Sequence, residues 1–278
     1  MTISSFDERT EALRSAGLPF VIATVVRTVD ATSAKPGAKA LILEDGTIAE
    51  GWIGGGCARG AVTRAAIAAL GDGQPRFVSL RPEELLDIEG RSHGEEREGV
   101  RFARSRCPSK GSMDVFVEPV TPPPDLVVCG ESPVALALCD FASRLGMRRT
   151  LCAPGLAAGK APQVERLLDG FAFDTQTGTE RHIVVATQGK GDEAALRAAI
   201  AAGAATIGFV GSRRKFAALS QRLLAEGIAK ADLDRVKSPA GLDISAITPD
   251  EIALSILAEI IAQRRGRQRR DQTAGVSP

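Results

Sequence analysis

Residues 126–145 read LVVCGESPVALALCDFASRL, and this stretch decides the fold class of the second half of the chain. Leu126–Cys129 is a short apolar run of the kind that forms a buried strand. Pro133–Leu145 follows with apolar residues at helical spacing, and Ser132-Pro133 is typical of a helix cap followed by proline in the first turn. The segment therefore predicts a strand, a tight turn at Gly130 and a helix.

The same alternation of strands and helices continues along the chain. Further strands are predicted at Arg149–Ala153, Ile183–Thr187 and Thr206–Val210. Further helices are predicted near Gln163–Leu168, at Asp192–Ala202, at Ser212–Glu226 and from Thr248 to about Ala262. Such alternation is typical of a parallel, doubly wound sheet, so we predict a Rossmann-like domain over residues 125–265. The arginine-rich tail, residues 266–278, is expected to be disordered and solvated.

The first half of the chain precedes a proline linker, Thr121-Pro122-Pro123-Pro124, and shows a different pattern. Strands are predicted at Phe20–Thr28, Ala40–Leu43, Thr47–Ile53, Phe77–Leu80 and Met113–Glu118. The turn Glu44-Asp45-Gly46 indicates a hairpin, because glycine accepts a positive φ. An alanine-rich helix is expected from Ala58 to about Leu70, and residues 81–110 show no period and are predicted to be a long loop. The overall fold class is therefore α/β, with a mixed α/β domain over residues 1–120.

Composition narrows the function classes. The 278 residues include 35 Lys plus Arg against 34 Asp plus Glu, which argues against a general nucleic-acid binder. Two histidines leave little room for a multi-histidine metal site. The longest apolar run, Leu18–Val26, is too short to span a bilayer, and no secretory signal is visible. We therefore expect a cytoplasmic protein with reduced cysteines and no membrane span, and the near-zero charge is consistent with a homodimer.

The first candidate site is the turn Gly54-Gly55-Gly56-Cys57, which lies between a predicted strand and a predicted helix. Three glycines let a ligand approach the backbone and aim free amides at an anion. Cys57 would lie near the first turn of the helix, where a thiolate is stabilised as a nucleophile or ligand. The alternative is a tight turn with a packed cysteine.

The second candidate is Cys107, which lies among Arg101, Arg104, Arg106 and Lys110. Cationic neighbours stabilise a thiolate, although the same composition is typical of a solvated loop. Together, Cys57 and Cys107 could form a two-thiol site for a soft metal or for sulfur. The other three cysteines, Cys129, Cys139 and Cys152, lie in apolar patterns and are predicted to be core thiols.

Three further segments are candidates for binding an anionic ligand. Lys35 lies in the loop DATSAKPGAK, which could equally be a polar hairpin loop. Gly130 and Ser132 occupy the place of a nucleotide fingerprint, but Ser132 stands where a second glycine is expected. Ser212, Arg213 and Arg214 begin a helix after a strand, where clustered cations suggest a nearby anion or a basic solvent face.

Four blocks of sequence together resemble the XdhC/CoxI/CoxF family. They are GWIGGGC ending at Cys57, Cys107 ahead of an M-x-V-F strand, GSRRK at residues 211–215, and SPAGLDISAITPDEIALSILAEII at residues 238–261. Members of this family are accessory proteins for molybdenum hydroxylases such as xanthine dehydrogenase and carbon monoxide dehydrogenase. The resemblance implies an N-terminal domain that helps to bind molybdenum cofactor as cargo and a Rossmann-like C-terminal domain. Cys57 and Cys107 match the two characteristic cysteine positions of the family.

The departures from the family pattern indicate a branch. Residues 31–40 (ATSAKPGAKA) and 107–119 (CPSKGSMDVFVEP) look most like the CoxF branch, which is associated with carbon monoxide dehydrogenase. That resemblance implies handling of sulfur or Cu(I), with the large subunit of an immature hydroxylase and a sulfur donor as partners. Two alternatives remain open. One is an oxidoreductase that uses a flavin or nicotinamide nucleotide at Gly130, and the other is a scaffold without a ligand. The Rossmann-like domain could bind a nucleotide, with FAD, NAD(P) and ADP/ATP as the candidates.

Overall fold

The computed structural model describes residues 5–106, 110–157, 159, 161–173 and 180–274, with side chains as far as residue 266. The chain divides into two compact units, one made of residues 1–122 with 267–278 and the other of residues 123–266. Among the described residues, no helix is both long enough and apolar enough to cross a membrane.

The first unit is a mixed sheet with helices. Its elements are α1 (Ser5–Ser15), β1 (Phe20–Val29), β2 (Lys39–Leu43), β3 (Ile48–Gly51), α2 (Gly56–Asp72), β4 (Arg76–Pro82), α3 (Glu83–Ile88), β5 (Glu96–Arg97), β6 (Val100–Ser105) and β7 (Ser112–Val120). The strand order is β3-β2-β1-β7-β4-β6-β5. Only β4 and β6 pair in parallel among these strands. The predicted hairpin at Asp45-Gly46 is confirmed by the antiparallel pairing of β2 with β3.

Helix α2 covers one face of this sheet because its buried side is made of small residues. Ala58, Val62, Ala65 and Ala69 pack on the sheet in one apolar cluster. Alanine side chains let the helix lie close to the strands, and this fixes the position of the first turn of α2 at the end of the sheet. That turn contains Cys57.

The second unit is a parallel sheet. Its elements are β8 (Asp125–Cys129), α4 (Pro133–Ala142), a 3₁₀ turn (Ser143–Leu145), β9 (Arg148–Cys152), β10 (Arg166–Leu168), β11 (Arg181–Val185), α5 (Asp192–Ala201), β12 (Thr206–Phe209), α6 (Arg213–Ala225), α7 (Lys230–Asp234), β13 (Val236–Lys237) and α8 (Pro249–Ala274). The strand order β10-β9-β8-β11-β12-β13 is the doubly wound order 3-2-1-4-5-6. The prediction of a Rossmann-like fold is confirmed.

The core of this unit explains the burial of the three apolar cysteines. Cys129 and Cys152 lie on the face of the sheet that packs against α5 and α6, whereas Cys139 of α4 packs on the opposite face. All three are fully buried, as predicted for core thiols.

Three sequence predictions were wrong. Residues 81–110 are not one long loop, because α3, β5 and β6 lie there among the described residues. Residues 166–168 form the edge strand β10 instead of a helix, because they pair with β9. Helix α8 continues to Ala274, well beyond Ala262 and through most of the tail expected to be disordered. Arginine and glutamine have high helix propensity, which favours this extension.

Candidate functional site

The glycine-rich turn before α2 places Cys57 at the start of that helix. Gly54 has a φ of +115°, and a Cβ there would lie 3.2 Å from Ser33 Oγ and 3.3 Å from Ala58 Cβ, so a side chain is disfavoured by backbone strain and by tight contacts. Gly55 is the N-cap, and the first turn of α2 contains no acidic residue. The turn therefore leaves the positive end of the helix without a carboxylate of its own.

Cys57 is exposed and lines a cavity of about 270 Å³. The described residues that line it are Thr32, Ser33, Gly55, Gly56, Cys57, Ala58, Leu80, Ser105, Gly111 and Met113. None of these is charged. The cavity therefore offers a thiol, a thioether, three hydroxyls and the start of a helix, which suits a soft metal or an anionic group more than a hard cation.

A hydrogen bond joins Cys57 to the segment that ends β6. The backbone N–H of Arg106 donates to Cys57 Sγ at 3.5 Å. Cys107 follows Arg106 in sequence but lies outside the described residues, so the two-thiol site of Cys57 and Cys107 stays a prediction. Within the described part of the chain, no group of three or more His, Cys, Asp or Glu residues is arranged to hold a metal ion.

A charge network around the buried Asp114 lies on the opposite face of the same sheet. Asp114 is 5% exposed, and its Oδ1 is 2.9 Å from Arg81 Nη1 and also accepts a hydrogen bond from Ser79. Arg27 Nε donates to Asp114 Oδ2 at 2.8 Å. The network ties β1, β4 and β7 together next to the end of the sheet at which Cys57 lies.

Two cations from the predicted sites of this unit lie outside the cavity. Lys35 is exposed in the loop between β1 and β2, and it is not among the described lining residues. Lys110 Nζ is 2.6 Å from Glu84 Oε1, and this hydrogen bond lowers the pKa of the Glu84 carboxyl. Among the described lining residues, the groups that could hold an anion in the cavity are therefore backbone amides and hydroxyls. A role for Lys35 in holding it stays a prediction.

In the second unit, Gly130 and Ser132 both have structural roles. A Cβ on Gly130 would lie 2.6 Å from the carbonyl oxygen of Ala186, so the glycine is required by the close approach of the chain that follows β11. Ser132 is 6% exposed, and its hydroxyl accepts a hydrogen bond from Ala135 N as the cap of α4. The hydroxyl stands where a dinucleotide fingerprint has a bare glycine.

The crevice between β8 and β11 is the usual ligand position of this fold, and two ion pairs are formed by described residues that follow these strands and β12. Lys190 Nζ lies 2.9 Å from Glu131 Oε1, and Lys215 Nζ lies 2.5 Å from Asp192 Oδ2. Burial opposes ionisation of Asp192, but hydrogen bonds from Lys215, Thr187 and Gly189 outweigh it and lower its pKa. The residues of this crevice fit the pyrophosphate of a dinucleotide poorly, and cofactor binding at Gly130 and Ser132 stays a prediction.

The predicted basic cluster lies at the start of α6. Ser212 caps this helix by accepting a hydrogen bond from Lys215 N at 3.2 Å, and no acidic residue lies in the first turn. Arg213 and Arg214 are both exposed. Arg213 lines a cavity of about 530 Å³ that is formed with the segment after β13, and Arg214 is not among the described lining residues of that cavity. The two neighbouring arginines, which are equivalent candidates in the sequence, therefore differ in the structure in whether they line this cavity.

Sequence reasoning missed several residues of these sites. Met113 and Ser105 line the cavity beside Cys57, and Asp243 lines the cavity beside Arg213. Met113 was assigned only to a strand, and the segment of Asp243 carried the family resemblance without a role. The alternation of β7 could have placed Met113 on the face that bears α2, but nothing local indicates that Ser105 lies there.

Comparisons with known proteins cover both units. Residues 13–81 match the model of the XdhC and CoxI family, and residues 126–260 match the model of the XdhC Rossmann domain. The uncharacterized protein YqeB of Escherichia coli (strain K12) is 30% identical over 258 residues, which are 90% of this chain and 44% of that protein. The chain thus spans less than half the length of this relative. The crystal structure of a xanthine dehydrogenase from Bacillus halodurans is 21% identical, with a TM-score of 0.45, over 94% of this chain and 96% of that one.

Proposed function

Because the chain belongs to the XdhC and CoxI family, we propose that it takes part in the maturation of a molybdenum hydroxylase. In this proposal it binds molybdenum cofactor as cargo and delivers it to the immature enzyme. The observation that supports this role is the position of Cys57, which is exposed in an uncharged cavity at the start of α2. A carrier needs a ligand that reaches its cargo and can release it again, and an accessible thiol meets both needs.

The chemistry of the cavity suits one end of the cofactor. Its volume of about 270 Å³ lies at the lower limit of pockets that enclose a whole ligand of drug size. The thiol of Cys57 is a soft ligand for a molybdenum or sulfur centre. The first amides of α2 and the hydroxyls of Ser33 and Thr32 supply donors for an anionic oxygen. The rest of the cofactor would extend out of the cavity toward the partner.

The finer proposal is that the partner is the large subunit of carbon monoxide dehydrogenase. Its support is the resemblance of residues 31–40 and 107–119 to the CoxF branch. Delivery of Cu(I) or of a sulfur-containing cofactor belongs to the same proposal, with a sulfur donor as a second partner. The thiol of Cys57 and the thioether of Met113 line one cavity, and both are ligand types that Cu(I) prefers.

The test is co-expression with an apo-hydroxylase, one arm using carbon monoxide dehydrogenase and the other xanthine dehydrogenase. Cys57→Ser is expected to lower the molybdenum content and activity of the isolated hydroxylase by about 10-fold or more, because the ligand is lost. Cys139→Ala removes a thiol from the core of the other unit and is the matched control. Cofactor retained by the carrier itself is measured as the fluorescence of its oxidised pterin.

Two results would count against the proposal. One is a normal molybdenum content with Cys57→Ser in both arms, and the other is a carrier that retains no pterin although the hydroxylase matures. A response in the xanthine dehydrogenase arm alone would overturn only the finer proposal.

A further inference from the structure

The cavity beside Arg213 lies at the carboxyl edge of the parallel sheet. One wall comes from Val210, Gly211 and Arg213, which follow β12, and the other from residues 239–246, which follow β13. Its volume of about 530 Å³ is within the range of pockets that hold small molecules. Open α/β sheets bind ligands at this edge, so the position is suitable for a ligand site. It is a different place from the crevice between β8 and β11.

Arg213 brings uncompensated positive charge to this cavity. Its side chain has no carboxylate partner among the residues that the structure describes, unlike Lys215 two positions later, which pairs with Asp192. The cation lies at the positive end of α6, where it opposes the helix dipole. A bound phosphate would offset both charges and accept hydrogen bonds from the guanidinium.

The opposite wall is fixed by a buried carboxylate. Glu259 of α8 is 8% exposed, its Oε2 accepts a hydrogen bond from Gly241 N at 2.8 Å, and its Oε1 lies 2.5 Å from Lys237 Nζ. A second bond joins Leu242 N to the carbonyl of Ser255 at 3.2 Å. The wall is therefore held in place before a ligand arrives, which reduces the entropic cost of binding.

A carboxylate and an apolar surface in the cavity indicate which chemical groups the ligand has besides phosphate. Asp243 lines the cavity, and among the described residues its carboxylate accepts only a long hydrogen bond, 3.5 Å from Ser245 N, so it has acceptor capacity for hydroxyl groups. Pro239, Ile244 and Ile252 add an apolar surface that a flat ring can contact. A nucleoside diphosphate has all three parts: phosphate for Arg213, ribose hydroxyls for Asp243 and a base for the apolar wall.

We propose that the second unit binds a nucleoside diphosphate in this cavity, with its phosphates at Arg213 and its ribose at Asp243. The described residues of this site all belong to the second unit, and the proposal does not depend on the proposed delivery of cofactor. It also differs from the dinucleotide position that the fold would suggest, since two ion pairs form there and Ser132 caps α4.

The test is calorimetric titration of the whole chain with ADP, and with AMP and inorganic phosphate as partial ligands. Arg213→Gln is expected to raise the Kd for ADP by about 10-fold or more, because a charge-assisted contact is lost. Arg214→Gln is the matched control, since this neighbour is exposed and does not line the cavity. Asp243→Asn is expected to weaken ADP binding and leave phosphate binding unchanged.

Thermal unfolding of each variant shows whether it remains folded. The proposal is overturned if ADP does not bind at about 1 mM, if folded Arg213→Gln binds ADP as the unmodified chain does, or if Arg214→Gln weakens binding equally. Cofactor retention by the carrier is measured separately, so failure here leaves the proposal for Cys57 untouched.

Discussion

Cys57 Sγ accepts a hydrogen bond from the backbone N–H of Arg106, although 49 positions separate the two residues in the chain. The contact brings the first turn of α2 together with the end of β6. From the sequence, the two segments are predicted to be separate, a glycine-rich turn at residues 54–57 and an arginine-rich loop at residues 81–110. Cys107 is the next residue after Arg106, so this hydrogen bond is consistent with the prediction that Cys57 and Cys107 belong to one site. That prediction remains untested, because Cys107 lies outside the described residues.

Cys57 should be alkylated far faster than the core cysteines. Burial raises the pKa of Cys139 to about 12, and a hydrogen bond with Cys152 together with burial raises that of Cys129. With iodoacetamide at pH 8 we expect Cys57 to react in the native protein and Cys129, Cys139 and Cys152 only after denaturation. Peptide mapping by mass spectrometry separates these sites from Cys107, and Cys57→Ser is the control. Protection of Cys57 in the native protein would contradict an open cavity.

Gly54→Ala should destabilise the protein, whereas Gly56→Ala should not. At Gly54 the φ of +115° and the close Ser33 Oγ disfavour a Cβ, and we expect a loss of about 1–3 kcal/mol in the free energy of unfolding. Gly56 is helical with nothing within 4 Å of its Cβ position, so alanine there should be neutral or stabilise by up to about 1 kcal/mol. Urea unfolding measures both, and equal effects would show that the turn is not strained.

The sequence predicted those elements that local chemistry determines. The cap Ser132-Pro133 and the turn Asp45-Gly46 both lie where expected, because each is specified by residues next to one another. Strand β10 was mistaken for a helix because the short segment Arg166–Leu168 at a sheet edge becomes a strand only by pairing with β9. Strand β6 was missed because the residues of β4 with which it pairs lie 23 positions earlier in the chain, as in Phe77 with Val100, and because its own residues are mostly half-buried.

The candidate sites also contain residues that local sequence predicts and residues that only tertiary packing brings there. The glycines and Cys57 could be read from the sequence, because a strand, a tight turn and a helix follow one another there. Met113 and Ser105 reach the cavity only through strand pairing, and Arg213 differs from Arg214 only through a distant segment, residues 239–246. Such relationships depend on tertiary packing, which no local pattern encodes.

Asp114→Asn should destabilise the first unit strongly. The substitution keeps the shape of the side chain but removes the negative charge next to Arg81, which is 8% exposed. Loss of one partner of a buried ion pair leaves the other charge uncompensated, so we expect a loss of about 3 kcal/mol in the free energy of unfolding. Glu84→Gln breaks an exposed pair with Lys110 and should cause no measurable change. Equal urea midpoints for both variants would rule out a structural role for the buried network.

Glu165 should make the second unit sensitive to acid. Arg149 donates to its carboxylate from Nε at 3.0 Å, from Nη2 at 2.6 Å and from its backbone N at 2.7 Å, and these bonds lower the pKa of Glu165 from 4.5 to about 2. Since the pKa is lower in the folded state, the stabilisation is fully present above pH 4.5 and is lost as the pH falls toward 2. Glu165→Gln should therefore lower stability at pH 7 and reduce its decline between pH 4.5 and 2. The carboxylate is 43% exposed, so solvent weakens the effect.

The hydrogen bonds between Arg149 and Glu165 join β9 to the segment that enters β10. The edge strand β10 should therefore open first in acid, and hydrogen exchange of Arg166–Leu168 should become faster as the pH falls. An unchanged pH profile in Glu165→Gln would show that other carboxylates cause the acid sensitivity.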